Sequence, residues 1–281
     1  MSRRSRIAFT KLEALGNDFV LIDARSTSIR MEPSRIEAMS DRRRGIGFDQ
    51  LLLLRPPADP ECMCHVEIYN SDGSSAEQCG NGMRAVALWL HRLGEFDSSA
   101  RIETLAGPVT LTWQGADRIT ATLPPPDFSP RSCGLDDDGE FPVTLQLDNQ
   151  RFEVLGAAMG NPHLVMPCRE MPDASEVEQL GSRLGSHPAL ARGANVGFAL
   201  VSDPHRLHLQ VHERGAGLTP ACGSGACAAA TALIRTGALT SPVEVVQPGG
   251  TLVIDWSAEG DPVAMTGPAS KVFEGVIAWA T

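Results

Sequence analysis

Residues 220–234 read PACGSGACAAATALI, and residues 76–90 read AEQCGNGMRAVALWL. Each stretch places a cysteine directly before Gly-x-Gly and then a run of helical character. The alanines of the later stretch predict a helix buried nearly all round. The thiols, Cys79 and Cys222, are therefore expected at helix mouths. A helix N-terminus offers unpaired backbone N–H groups and a partial positive charge. Glycines there let a ligand approach the backbone closely. A sulfur in that position is expected to have a lowered pKa.

Working outward, the flanks repeat as well. EALGNDFVLID near the start has a partner in AAMGNPHLVMP, GIGFDQLLLL in GANVGFALVS, and HVEIYNSDGSSAEQCGNG in HLQVHERGAGLTPACGSG. Cys79 and Cys222 lie 143 positions apart, as do Asn70 and Glu213, and Gly107 and Gly250, while Asn17 and Asn161 are 144 apart. Matching anchors in one order at one offset predict two copies of one unit. Short alternating runs bounded by turn residues, such as Phe19–Asp23, Val66–Asn70, Val109–Trp113, Leu207–His212 and Leu252–Trp256, predict strands. Helices are expected over Gly82–Leu93 and Gly225–Gly237. The fold expected is α/β (α+β), with two pseudo-symmetric domains, each a mostly antiparallel sheet wrapped around a central helix. The boundaries expected are 1–123, with 267–281 packing back on it, and 124–266. The Pro-rich LPPPDFSPRSCG, 123–134, reads as the linker. The polar segments DRRRGIG and LGSHPALARGAN, one in each half, are expected to begin near a second, surface helix.

Composition narrows the function. The chain has 281 residues and a formal net charge of −10, which argues against a nucleic-acid partner. Lys11 and Lys271 are its only lysines, which weakens any pyridoxal-phosphate reading. The basic start has no apolar run of signal-peptide type, and no stretch has membrane-span length, so a cytoplasmic protein is expected. Seven cysteines at irregular spacing do not read as a disulfide framework. CMCH, at Cys62–His65, alternates like a strand and lacks a second ligand pair at zinc spacing, so no metal is expected.

Two thiols in pseudo-symmetric halves suit inversion of a carbon stereocentre. One sulfur takes a proton from an amino-acid α-carbon, the other returns one to the opposite face, and the helix mouths stabilise the carboxylate. ALGNDF, GIGFDQ, YNSDGSSAEQCGNGMR, MGNPH, ANVGF, ERGAG and ACGSGACA, in this order, resemble the diaminopimelate epimerase family. The resemblance implies a cofactor-independent epimerase that interconverts LL- and meso-diaminopimelate for lysine and peptidoglycan synthesis, with substrate in the cleft between two similar domains. It implies Cys79 and Cys222 as the acid/base pair. It places Asn17, Gln50, Asn70, Asn161, Asn195, Glu213 and Arg214 around the substrate, and the backbones of Gly80–Asn81 and Gly223–Ser224 on the reacting carboxylate. His163 and Glu213 are implied to tune the thiols. A homodimer is expected. Leu218 and Pro220 depart from the family's usual residues just before the second thiol.

Other readings stay open on the residues alone. Asn17, Asn70 and Asn161 are equally at home in turns. A racemase of proline, hydroxyproline or histidine type would use the same scaffold. Cys–His acyl transfer with His163 as base would leave one thiol idle. A thiol redox switch or amino-acid-binding module is the non-enzymatic alternative.

Overall fold

The computed structural model describes residues 5–279. The chain divides into two compact units, 1–121 with 267–281, and 122–266. The first begins with the hairpin β1 (Ser5–Ala14) and β2 (Asn17–Asp23). Its turn holds Leu15 at φ 58° and Gly16 at φ 84°, the left-handed pair that matches strand twist in a two-residue hairpin. Next come α1 (Pro33–Ser40), β3 (Gln50–Arg55), β4 (His65–Asn70), β5 (Ser75–Ala76), α2 (Gly80–Arg92), β6 (Ser99–Thr104) and β7 (Gly107–Trp113). β8 (Arg118–Leu123) leads out of this unit.

The second unit contains β9 (Val143–Leu147), β10 (Gln150–Ala158), β11 (Pro162–Pro167), α3 (Ala174–Gly185), β12 (Asn195–Asp203), β13 (Arg206–Glu213), β14 (Gly217–Thr219), α4 (Gly223–Arg235), β15 (Val243–Gln247) and β16 (Gly250–Asp255). β17 (Val263–Pro268) leads back, and β18 (Ser270–Trp279) joins the first unit by pairing with β1.

The two sheets have the same topology. In the first, β18, β1, β2, β3, β4, β6 and β7 are successive neighbours, with β5 also on β4. In the second, β9, β10, β11, β12, β13, β15 and β16 follow the same order, with β14 on β13. Among the pairings described within each unit, only β2–β3 and β4–β6 are parallel in one, and only their counterparts β11–β12 and β13–β15 in the other. Each sheet packs on its own helix, α2 on β1, β2, β7 and β18, and α4 on β10, β11, β12, β13, β15 and β16. The fold is thus the α/β pair of repeats expected.

Burial follows from this wrapping. Leu51–Leu54 are all fully buried because β3 is covered on both faces. Leu51 and Leu53 join the cluster of Val20, Ile22 and Ile36, while Leu52 lies against Gly82 at the start of α2. In the other unit α3 and its sheet enclose Val154, Leu164, Val177, Leu184, Val196 and Phe198.

Both polar segments begin beside a surface helix, as expected: Asp41–Gly47 directly follows α1, and 184–195 begins in the last turn of α3. Asp41 accepts the N–H groups of Arg43 and Arg44, an Asx turn that stops α1, and Pro188 and Gly193 cannot continue α3. The Pro-rich 123–134 stretch, read as the linker, starts just after the boundary between the units and is held at several points. Asp127 and Ala158 exchange backbone hydrogen bonds, Cys133 is fully buried, and Phe128 lies under the Arg235 guanidinium.

Candidate active site

In both units the cysteine is the N-cap of the central helix. Cys79 Sγ accepts the Gly82 N–H of α2 at 3.3 Å, and Cys222 Sγ accepts the Gly225 N–H of α4 at 3.3 Å. Each sulfur thus occupies the place of the usual Ser or Asp oxygen, with extended backbone at the cap. A Cβ at Gly82 would stand 3.5 Å from Cys79 Sγ, and one at Gly225 would stand 3.2 Å from Cys222 Sγ. The glycines keep these approaches open.

The remaining site residues occupy equivalent sheet positions. Asn17 opens β2 and Asn161 immediately precedes β11. Gln50 opens β3 and Asn195 opens β12. Asn70 ends β4 and Glu213 ends β13. The parallel register sets Phe19 beside Gln50 and His163 beside Asn195, so a histidine in one unit replaces a phenylalanine in the other.

Around the half-buried Cys79 the contacts form a chain. Its Sγ donates to Asn17 Oδ1 at 3.9 Å, and Asn81 Nδ2 donates to the same oxygen at 3.4 Å. Gln50 Nε2 donates to Asn70 Oδ1 at 2.9 Å, and Asn70 Nδ2 donates to Ser74 Oγ at 3.0 Å. Gln50 Oε1 is buried and has no partner among the described residues.

The second half-site is more enclosed. Cys222 is buried, its N–H donates to Gln247 Oε1 at 2.9 Å, and its sulfur lies 3.6 Å from Ser224 Oγ. His163 Nε2 lies 3.0 Å from both Asn161 Oδ1 and Ser224 Oγ, and Asn195 Nδ2 is 3.5 Å away. Asn161 can only accept there, so the proton belongs on Nε2. Asn195 Oδ1 accepts the Arg214 N–H, while Arg214 Nη1 donates to the Arg192 carbonyl at 2.8 Å. Glu213 Oε1 accepts the Thr219 hydroxyl at 2.5 Å. Leu218 donates its N–H to Glu178 on α3 and joins the fringe of that core.

The electrostatics correct the expected acidity of the second thiol. Burial, and then the Glu213 carboxylate, push Cys222 well above an ordinary thiol, and bonds from Ser224 and Gly225 offset only part of this. The helix mouth therefore does not win at Cys222. Burial, and next the positive charge of Arg214, push His163 down to about 3, so its ring is neutral. The ring reaches Cys222 through the Ser224 hydroxyl.

The sequence reading missed Gln247, Thr219, Asp49 and Arg84. Only Arg84 had a visible signal, as the cation of GNGMR in the first turn after Cys79. CMCH becomes the approach to β4, with Cys62 and Cys64 buried and His65 beside Glu103 at 3.5 Å. No helix among the described residues is long and apolar enough to cross a membrane.

Known proteins resemble this chain over most of its length. The family model described as diaminopimelate epimerase matches residues 9–127 and 156–272. A diaminopimelate epimerase of Pseudomonas aeruginosa is 42% identical over 274 residues, covering 96% of this chain and 99% of the relative. One from Stutzerimonas stutzeri is 41% identical with the same coverage. Among solved structures, a hydroxyproline epimerase from Agrobacterium vitis superposes with a TM-score of 0.75 at 14% identity, covering 100% of this chain and 93% of the other. At that identity the likeness concerns the fold alone.

Proposed function

The chain belongs to the diaminopimelate epimerase family, and from this we propose that it interconverts LL- and meso-diaminopimelate by proton transfer between carbon and two thiols. The observation that carries the reading is the repeated cap, one sulfur on the third amide of each central helix at equivalent points of two like units. A cysteine is a poor choice for a cap alone, since sulfur is a weak acceptor.

The reaction needs one charged sulfur and one protonated sulfur. The charged sulfur takes the α-proton, and the second thiol gives its own proton to the opposite face. Charge is conserved, and the sulfurs exchange roles with each turnover. Burial and Glu213 favour Cys222 as the protonated partner in the resting enzyme. Cys79, less enclosed, is then the base. The amides of Gly80–Asn81 and Gly223–Ser224 would receive the α-carboxylate, whose growing charge a helix mouth stabilises. Asn17, Gln50, Asn70, Asn161, Asn195 and Glu213 would read the ammonium and amide-facing edges of the substrate. Arg214, its guanidinium tethered to the Arg192 carbonyl, would pair with the distal carboxylate. No cofactor is needed. The reading includes a cytoplasmic place in lysine and peptidoglycan synthesis. It also includes a homodimer, supported by the exposed Val272, Phe273 and Val276 of β18 and checked by light scattering.

Proton NMR of LL-diaminopimelate in D₂O with reductant tests the chemistry. The wild type should form meso product carrying deuterium at the α-carbon, and Cys79→Ala and Cys222→Ala should each abolish turnover. Exchange of another amino acid with diaminopimelate untouched would overturn the substrate. An active Cys222→Ala would overturn the two-thiol mechanism.

A further inference from the structure

Two charged residues outside the assigned site fix the orientation of the Asn81 and Asn17 amides beside Cys79. Arg84 is fully buried on α2, and its Nη2 donates to Asn81 Oδ1 at 2.8 Å. A guanidinium only donates, so the Asn81 carbonyl must face it and the Asn81 NH₂ must face away. That NH₂ meets Asn17 Oδ1 at 3.4 Å. From the other side, Asp49 Oδ2 accepts Asn17 Nδ2 at 3.0 Å and also the Asp18 N–H at 3.1 Å. A carboxylate only accepts, so it holds the Asn17 NH₂ on its side and turns the Asn17 carbonyl toward the sulfur. The polarity thus runs without choice from cation to carboxylate. Of the contacts described, the Gly82 amide donates to the Cys79 sulfur and Asn17 Oδ1 accepts from it.

These two neighbours act in opposite senses. The Gly82 N–H stabilises a thiolate, whereas a carbonyl oxygen stabilises the S–H and repels a thiolate. We propose that Asp49 and Arg84 are positioning residues which, by fixing the amide of Asn17, raise the proton affinity of Cys79 above what the helix mouth alone would set and so make its thiolate a stronger base. The inference rests on the epimerase reading for its purpose. A base works best when its proton affinity is matched to the working pH, and an unopposed helix-mouth thiolate would be too weak a base for a carbon acid. In the chain segments next to Asn17, Asp49 and Cys79 the charged groups are Glu13, Asp18, Asp49 and Glu77, with Lys11, Arg42 and Arg84. Lys11 and Arg42 engage Asp18, and Arg42 also reaches Asp49, so Asp49 is anchored independently of Asn17.

The test reads Cys79 directly in a Cys222→Ala background. Alkylation of the Cys79 peptide by iodoacetamide is followed by mass spectrometry as a function of pH. Asp49 is exposed, so Asp49→Asn should fold normally. The Asn17–Asn81 contact is the longer one, so loss of the carboxylate should let the Asn17 amide turn its NH₂ to the sulfur. The midpoint of alkylation should fall by about half a pH unit, roughly threefold in proton affinity. Asp49→Glu should restore it, and Arg84→Met should move it the same way if that variant folds. An unmoved midpoint in Asp49→Asn overturns the proposal. So does a shift that vanishes in about 1 M salt, where the Debye length is about 3 Å and through-space charge is screened. The readout needs no turnover, so a failed epimerase assay with wild type would count against the function and not against this network.

Discussion

His163 makes one unit sensitive to acid in a way its counterpart is not. Burial and the nearby Arg214 depress its affinity for a proton to about 3, whereas an unfolded histidine titrates near about 6.5. Between those values the unfolded chain takes up a proton that the folded ring refuses. The stability this group contributes is therefore complete above about 6.5 and is lost as the pH falls toward about 3, by a few kcal/mol in order of magnitude. Phe19, at the matching position in the first unit, titrates nothing. In His163→Gln, the amides of β11 and β12 should lose less hydrogen-exchange protection than wild type on going from neutral pH to about 4.5. Equal losses would show that the ring is not the acid-labile group. The role of such a residue was only partly legible. The two thiols announced themselves by repetition, but the neutral state of His163 and the proton held on Cys222 depend on burial, which the sequence does not display.

At the scale of the element, caps decide where chemistry sits. Gly225 must stay glycine, because a Cβ there would meet Val211 Cγ2 at 3.1 Å as well as the Cys222 sulfur. Gly225→Ala is expected to displace the thiol, lowering kcat by at least about tenfold while costing only about 1–2 kcal/mol of stability, as overpacking does. Steady-state kinetics beside urea unfolding would separate the two effects, and an unchanged kcat would refute the cap's catalytic importance. Contrast α3, whose capping box joins Asp173 to the Glu176 N–H at 2.9 Å and Glu176 back to the Asp173 N–H at 3.0 Å. Asp173→Ala should cost about 1 kcal/mol with kcat intact, measured by the same pair of experiments. The central helices were readable because their apolar runs are long and begin at glycines. The surface helices were less legible: the sequence marks where their polar loops begin, but the stop of α1 is an Asx turn at Asp41 that becomes visible only in the fold.

At the scale of the whole molecule, the duplication was legible from the constant offset, but its consequence for the chain is asymmetric. The second unit is one uninterrupted segment, whereas the first takes its last strand from the far end of the chain, β18 filling the place beside β1 that β9 fills beside β10. Residues 122–266 also carry their own core, with α4 buried along nearly its whole length and Val154, Leu164, Val196 and Phe198 packed under α3. A domain of this size can bury enough apolar surface to fold alone. We therefore expect the fragment 122–266 to unfold cooperatively in urea, and residues 1–121 expressed without 267–281 to lack that transition. The groups that raise Cys222, its burial and Glu213, both lie within the fragment. Its Cys222 should consequently resist alkylation at mildly alkaline pH and react only on denaturation. A folded fragment with a fast-reacting Cys222 would mean that the thiol's state is set from outside the unit, and the assignment of the resting proton to this sulfur would have to be abandoned.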